Sequence, residues 1–167
     1  FQKVSFLSNA YILEDAKESD LWDLDIFKNG HIYLQSLSSQ IPVELLDIKD
    51  EDKVLDITAA PGWKTSQASA IMKNTWEIIA NDNNAIRIDK LKFTISRQWC
   101  TNVEVVKNDA RNIWKNNPKY IDYFDKIIAD LPCSAEWKFN LNNEKSYAYW
   151  SQAIVNKNYK LQKEIIQ

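Results

Sequence analysis

The chain reads as an α/β protein built on a doubly wound, Rossmann-like parallel sheet. Three observations predict this. From Lys53 onward, short apolar runs alternate with helix-compatible segments, the pattern of consecutive β-α units. The first run, Val54-Leu55-Asp56-Ile57, breaks into a small-residue turn, Ala59-Ala60-Pro61-Gly62, immediately before such a helical segment. Acidic residues then close the next three runs, at Asp82, Asp109 and Asp130, on the sheet edge where ligands of such folds bind.

The elements follow in order. Residues 1–25 give a weak strand at Asn9–Leu13 and then an acidic loop; residues 1–26 are expected to end a preceding module, and 27–167 to form the main domain. Ser36 to Ile48 reads as a helix, with Pro42 tolerated if it lies in the first turn. Strands are predicted at 53–58, 77–81, 103–107 and 124–130, and helices at about 64–73, 84–97 and 148–167. Right-handed crossovers between parallel strands then place helices on both faces. The sequence holds no internal repeat and no low-complexity segment.

Composition narrows the function. At 167 residues the chain suits one domain with a substantial core. Hydrophobic residues make up 45% and charged residues 26%, ordinary for a globular protein. No apolar run approaches a membrane span, and no signal peptide is evident. One histidine and two distant cysteines, Cys100 and Cys133, offer neither a disulfide framework nor zinc-ligand spacing; no metal is expected, and a reducing cytoplasm is. The net charge of −2 shows no basic footprint for a polyanion. Lys157, Lys160 and Lys163 share one helix face, the usual mark of a solvated surface. The chain opens on Phe1 and closes inside an amphipathic pattern at Gln167, which predicts a piece of a longer protein.

The chemistry concentrates at the strand ends. A turn of small residues at a helix N-terminus presents free N–H groups and a favourable dipole to an anionic group. Lys64-Thr65 fits the end of a phosphate-binding P-loop, but Thr58 and Trp63 fill both of its glycine positions. The dinucleotide pattern of spaced glycines is absent as well. Asp82, after the second strand, suits the ribose hydroxyls of a nucleoside cofactor, and Asp109 suits an adenine amino group. Each acid alone also reads as a helix N-cap; the three in this order favour a cofactor. Pro132-Cys133 places a thiol at the fourth strand end, where a buried apolar role fits it poorly. A thiol is partly ionised near neutral pH and can be activated further.

Ala59-Ala60-Pro61-Gly62-Trp63-Lys64-Thr65 resembles the AAPGGKT pattern of the RNA cytosine-5 methyltransferases of the NOL/NOP/Sun group. Phe27-Lys28-Asn29-Gly30-His31-Ile32-Tyr33-Leu34-Gln35 with Ser38-Ser39 resembles that family's lead-in. Ala80-Asn81-Asp82, Asn108-Asp109-Ala110-Arg111 and Phe124 to Ser134 follow at matching spacing, from about Phe27 to Gln167. The resemblance implies a class I methyltransferase sheet, truncated after its fourth strand. It implies S-adenosylmethionine as cofactor, held by Thr58, Ala59, Ala60, Pro61, Gly62, Trp63, Lys64, Asp82, Asp109 and Asp130, with Arg87 assisting, and Asp130 near the transferring centre. It implies an rRNA or tRNA substrate methylated at cytosine carbon 5, and a whole protein that is a cytoplasmic monomer. In DNA cytosine methyltransferases the Pro-Cys cysteine is the nucleophile. In the RNA family the nucleophile is a second cysteine on a later strand, and Cys133 would assist product release. An adenine amino-methyltransferase would carry Asp/Asn-Pro-Pro-aromatic where this chain has Leu131-Pro132-Cys133-Ser134.

Four tryptophans depart from the pattern. Trp63 and Trp137 replace motif glycines, and Trp76 and Trp99 stand between a helix and the next strand, where a residue at positive φ is common. The chain has seven tryptophans and two glycines, against about a dozen glycines at average usage. UGA is one base from the glycine codon GGA, and genetic codes differ in reading it as glycine or tryptophan. The expectation is that several of these tryptophans are glycines in the organism. The other reading is a non-catalytic RNA-binding paralogue in which Trp63 and Trp137 block the site.

Overall fold

The structure is a computed structural model that describes residues 1–7 and 9–167. Two short strands, β1 (Gln2–Lys3) and β2 (Tyr11–Ile12), pair antiparallel. Val4, Leu7 and Ala10 bury a small cluster beneath them, against Leu37. A single helical turn, α1 (Asp25–Lys28), leads to Gly30, which takes φ +72.

Helix α2 spans Leu37–Leu45, shorter than the predicted Ser36–Ile48. Pro42 lies inside it, past the first turn in which the sequence reading allowed it. A nine-residue helix with a proline at its sixth position keeps few interior bonds. Its stability comes from Val43, fully buried against the sheet.

The main sheet has four parallel strands: β3 (Val54–Asp56), β4 (Ile78–Asp82), β5 (Val103–Lys107) and β6 (Lys126–Ile128), in the order β5-β4-β3-β6. Between them run α3 (Trp63–Ile71), α4 (Ala85–Arg97) and α5 (Ile113–Asn116), and α6 (Gln152–Ile166) closes the chain. Strand alternation sends successive side chains to opposite faces. Val54, Ile78 and Ile128 pack with Val43, Ala68 and Met72 on one face, and Ala80 joins Leu91 and Ile95 of α4 there. Leu55, Ile57 and Ile79 point the other way, onto Ile113, Tyr120 and Ile165. The sheet is therefore covered on both sides, as the doubly wound prediction requires. The chain steps outward from β3 to β5 and then returns beside β3, so the direction reverses between β3 and β6. Such a switch point opens a crevice at the strand carboxyl ends.

The fourth strand is shorter than predicted. Asp125 turns its side chain back to accept from Lys53 N at 2.8 Å, which ends regular pairing before Lys126, and Asp130 is drawn off to Lys64. The last helix starts late, at the Ser151 cap, whose Oγ accepts from Ile154 N. Ala148–Trp150 belong to the preceding aromatic turn.

Candidate active site at the carboxyl ends of the strands

The turn after β3 is tied down at several points. Gly62 holds φ +105 as the N-cap of α3. A Cβ there would approach Leu91 Cδ1 to 2.9 Å and Thr94 Cβ to 3.2 Å, so packing as well as backbone demands glycine. Ala59 and Ala60 are buried, and the Ala60–Pro61 peptide is cis. Thr58 Oγ1 donates to the Asp130 carbonyl at 2.9 Å, and Lys64 Nζ pairs with Asp130 Oδ2 at 2.8 Å. The fourth strand end thus grips both ends of the turn after the first. Of the residues implied for the cofactor, Lys64 and Asp130 are brought together as an ion pair.

Asp82 closes β4, and its side chain is 3% exposed. Its Oδ1 accepts from Asn84 N at 3.0 Å, and its Oδ2 lies 3.2 Å from Arg87. Arg87 also donates to the Ala60 carbonyl at 2.5 Å, linking the second strand end to the first turn. Asn84 caps α4 by accepting from Arg87 N. Asp109 follows β5 and accepts from Arg111 through both carboxylate oxygens, at 3.0 and 2.6 Å. The Arg111 hydrogen bonds hold the Asp109 carboxyl below its ordinary value. Arg111 reaches on to Glu164 of α6 at 3.1 Å.

These groups converge. Thr58, Asn81, Asp82, Arg87, Asp109, Arg111 and Pro132 line one cleft. Its volume is about 60 Å³, far below the ≈ 300–1,000 Å³ of small-molecule sites. Arg87 and Arg111, each nearly half exposed, are the long side chains in its wall. Ala59–Lys64 and Asp130 stand behind this wall rather than in it. Trp63 is the first residue of α3, 37% exposed. Its ring faces Tyr33 at 6.5 Å between centroids, and it does not line the cleft.

Cys133 is exposed and Cys100 is buried. Beyond Cys133 the chain folds on itself. Glu136 accepts from Ser134 Oγ at 2.5 Å and from Trp150 Nε1 at 2.9 Å, and Phe139 packs among Tyr147, Tyr149 and Trp150. Trp150 is thus a working member of this turn, whereas Trp137 is 75% exposed. Gln162 of α6 donates to the Pro132 carbonyl at 2.7 Å, fixing the Pro-Cys turn from behind. Among the described residues no group of three or more His, Cys, Asp or Glu is placed to hold a metal, and no helix is long and apolar enough to cross a membrane.

The sequence reading missed Asp56 and Asn81. Asp56 is buried beneath the turn, and its Oδ2 accepts from Thr65 Oγ1 at 2.7 Å. Asn81 Nδ2 donates to the Ile57 carbonyl at 2.9 Å. The available signal was a polar residue inside each apolar run, costly to bury without a partner.

A family profile described as 16S rRNA methyltransferase RsmB/F matches residues 43–167. The chain belongs to this family. The tRNA (cytosine(72)-C(5))-methyltransferase of Pyrococcus horikoshii is 36% identical over 119 residues, 71% of this chain and 30% of that protein. Ribosomal RNA small subunit methyltransferase F of Vibrio parahaemolyticus is 36% identical over 141 residues, 83% of this chain and 29% of that one. The crystal structure of NSun6 from Pyrococcus horikoshii with SFG superposes with a TM-score of 0.73 at 31% identity, over 87% of this chain and 36% of that one. The chain therefore spans about 30% of the length of these two curated relatives, and its fold is that of the class I methyltransferases.

Proposed function

We propose that this RsmB/F-family chain is the cofactor-binding half of an S-adenosylmethionine-dependent RNA cytosine-5 methyltransferase acting on rRNA or tRNA. One observation carries the reading. At the switch point of the sheet, the ends of β3, β4 and β5 and the Pro132-Cys133 turn meet around one cleft walled by Asp82 and Asp109. Relatives named for rRNA and for tRNA support both substrates, and an RNA substrate supports a cytoplasmic location.

The donor set fits a nucleoside. Asp82 and Asp109 offer acceptors for hydroxyl and amino groups, and Ile57, Ala110 and Pro132 add apolar walls. Release of Arg111 from Asp109 would widen this narrow cleft and free the acceptor intended for the base. S-adenosylmethionine, when bound, supplies a methyl group on a positively charged sulfur. Thr58 lines the cleft and opens the turn that runs to Lys64 behind its wall, and Asp130 holds that turn through Thr58 and Lys64. Asp82 keeps Arg87 against the Ala60 carbonyl, so the second acid also braces the first turn. Cytosine carbon 5 is a weak nucleophile until a thiolate adds to carbon 6. A cysteine outside this chain makes that attack, and exposed Cys133 takes part in releasing the methylated base.

Two measurements test it. Calorimetry with S-adenosylmethionine on the whole protein should show binding that Asp82→Ala weakens at least about tenfold, the value of one charge-assisted hydrogen bond; no binding by the parent would sink the cofactor assignment. Whole-protein Cys133→Ala, incubated with RNA and cofactor, should accumulate a slow-migrating covalent species on a denaturing gel. Loss of both the adduct and methyl transfer would move the nucleophile to Cys133.

A further inference from the structure

Asp56, the last residue of β3, is 1% exposed. Its carboxylate accepts from Thr65 Oγ1 at 2.7 Å, and the backbone N–H of Thr58 faces it and favours its charged form. These two residues bracket Ala59–Lys64, so one buried group holds both ends of the turn. The charged groups that face it are Lys64 of α3 and Asp130 beyond β6. Lys64 is already committed to Asp130 at 2.8 Å. The register neighbours of Asp56 across the sheet, Ala80 and Ile128, bring no charge. A buried carboxylate without its own cation is costly, and a purely structural tie would be made more cheaply by a neutral amide or hydroxyl.

We propose that Asp56 is a positioning residue for the cofactor turn: as a carboxylate it ties both ends of Ala59–Lys64, and on protonation it lets go of one. A carboxylate accepts through both oxygens, whereas a protonated carboxyl spends one oxygen as a donor. Burial pushes this carboxyl up to about 7, against the opposing pull of the Thr65 hydrogen bond. The switch therefore lies within the working range of a cell. A cation bound above the turn favours the charged form of Asp56, so cofactor binding and deprotonation reinforce each other. This rests on the cofactor assignment made above, but the hydrogen-bond switch can be observed without the cofactor.

The test is amide NMR of the protein between pH 5 and 9. The Thr58 and Thr65 amide resonances should titrate together near pH 7, Asp56→Asn should abolish the titration, and Thr65→Val should raise its midpoint by removing a bond to the charged form. Resonances that do not move, or a midpoint that Thr65→Val leaves in place, would overturn the switch. Calorimetry adds the functional arm: affinity for S-adenosylmethionine should rise about threefold or more from pH 6 to pH 8 in the parent and stay flat in Asp56→Asn. A titrating turn whose cofactor affinity ignores pH would also overturn the proposal. A titrating turn with no cofactor binding at any pH would support the switch and overturn the cofactor assignment.

A second, independent observation concerns the tryptophans. Trp99 takes φ +58 and Trp76 φ +49. At the end of α4, Trp99 N donates to Ser96 O at 3.2 Å and Cys100 N donates to Ile95 O at 3.0 Å. This paired pattern closes a helix on a left-handed residue, most often glycine. Trp76 differs from the sequence expectation in one respect: α3 ends on Lys73 and Asn74, at φ +53 and +58, and Trp76 lies two residues further on. We infer that positions 76 and 99 carry glycine in the protein as its own cells make it. Mass spectrometry of tryptic peptides covering these positions, from protein isolated from its source, reads the residues directly. Glycine masses at 76 and 99 support the inference, and tryptophan at either, or UGG codons there, would overturn it.

Discussion

The turn after β3 and the turn after β6 start alike, at the carboxyl ends of neighbouring parallel strands, and end in opposite conditions. The first is partly buried, with Ala59, Ala60 and Gly62 covered, and is tied to three other elements: Thr58 and Lys64 to Asp130, Ala60 to Arg87, Thr65 to Asp56. The second carries an exposed cysteine and holds its shape chiefly through its own residues, with Glu136 bonded to Ser134 and Trp150 and with Phe139 among aromatic rings. The strands beneath them differ in the same way. β3 lies between β4 and β6 and is fully buried, whereas β6 is an edge whose Ile127 is 42% exposed. A site divided in this manner separates holding a cofactor, which requires rigidity, from meeting a large substrate, which requires access.

The largest effect should separate the two strands. Leu55 of β3 is fully buried among Ile57, Ile79, Ile113 and Tyr120, so Leu55→Ala should cost about 2–5 kcal/mol. Ile127→Ala on β6 should cost about 1 kcal/mol or less, as for other half-exposed positions. Urea unfolding of both variants measures the difference. Equal losses would mean that the β6 edge is as deeply covered as the centre, and the comparison would fail.

The next effect sharpens the first turn alone. The ordinary Asp value is 3.8 and that of folded Asp56 is about 7. Between these limits the native state binds the additional proton. Stability therefore falls as pH rises from about 4 to about 7 and is level above that range. Asp56→Asn does not titrate there. It should match the parent near pH 4 and exceed it at pH 8, by at most about 4 kcal/mol, the full linkage of a shift of this size. Thermal unfolding at both pH values measures it. A variant weaker than the parent at pH 8 would mean that the Thr65 hydrogen bond and the Thr58 N–H facing Asp56 outweigh its burial as a charge.

Much of this was legible in the sequence, for reasons that can be stated residue by residue. The strand at 103–107 was read to the residue because Val103, Val105 and Val106 stop at a lysine and an Asn-Asp cap. The parallel, two-sided sheet followed from apolar alternation and crossover length. Arg87 was read only as one turn into the next helix; the structure sets it against Asp82 because Asn84 caps α4 there. The short helix Ile113–Asn116 was missed because four residues carry no period. The commitment of Asp109 to Arg111 was missed because it depends on a fold-back at Ala110–Asn112 that one cap residue does not announce. Asp56 was quoted in its strand but passed over, since a sequence shows a polar residue in an apolar run without showing what lies above it. The docking of the lead-in was also invisible. A Cβ on Gly30 would come within 1.8 Å of the Arg97 carbonyl, while Arg97 donates to the Phe27 carbonyl at 2.8 Å.

A smaller effect is expected at the end of α4. Trp99→Gly relieves a left-handed residue, worth about 1–2 kcal/mol, and gives up one hydrogen bond from Nε1 to the Asn29 carbonyl at 2.9 Å. A glycine also adds freedom to the unfolded chain. The balance should be a gain of about 1 kcal/mol by urea unfolding. A loss instead would mean that the contact with Asn29 anchors the lead-in more firmly than the backbone strain opposes it.

The smallest effect belongs to the second turn and should have the opposite sign. Trp137 lies within the short 3-10 turn Glu136–Lys138 and is not at positive φ, so glycine relieves nothing there. Its indole is 75% exposed, and its one ring contact of note is Lys138 Nζ at 4.9 Å from the centroid. An exposed cation–π contact contributes about 0.5 kcal/mol, and a glycine in a helical turn costs a similar amount. Trp137→Gly should therefore lower stability by about 0.5–1 kcal/mol, where Trp99→Gly raises it. The pair distinguishes backbone strain from a general penalty on exposed tryptophan. If both replacements stabilise the protein equally, the gain comes from removing exposed indole, and left-handed geometry at position 99 is not its source. If they diverge in sign, the strain at 99 is real, and any glycine at 137 is there for access to the Cys133 turn rather than for stability.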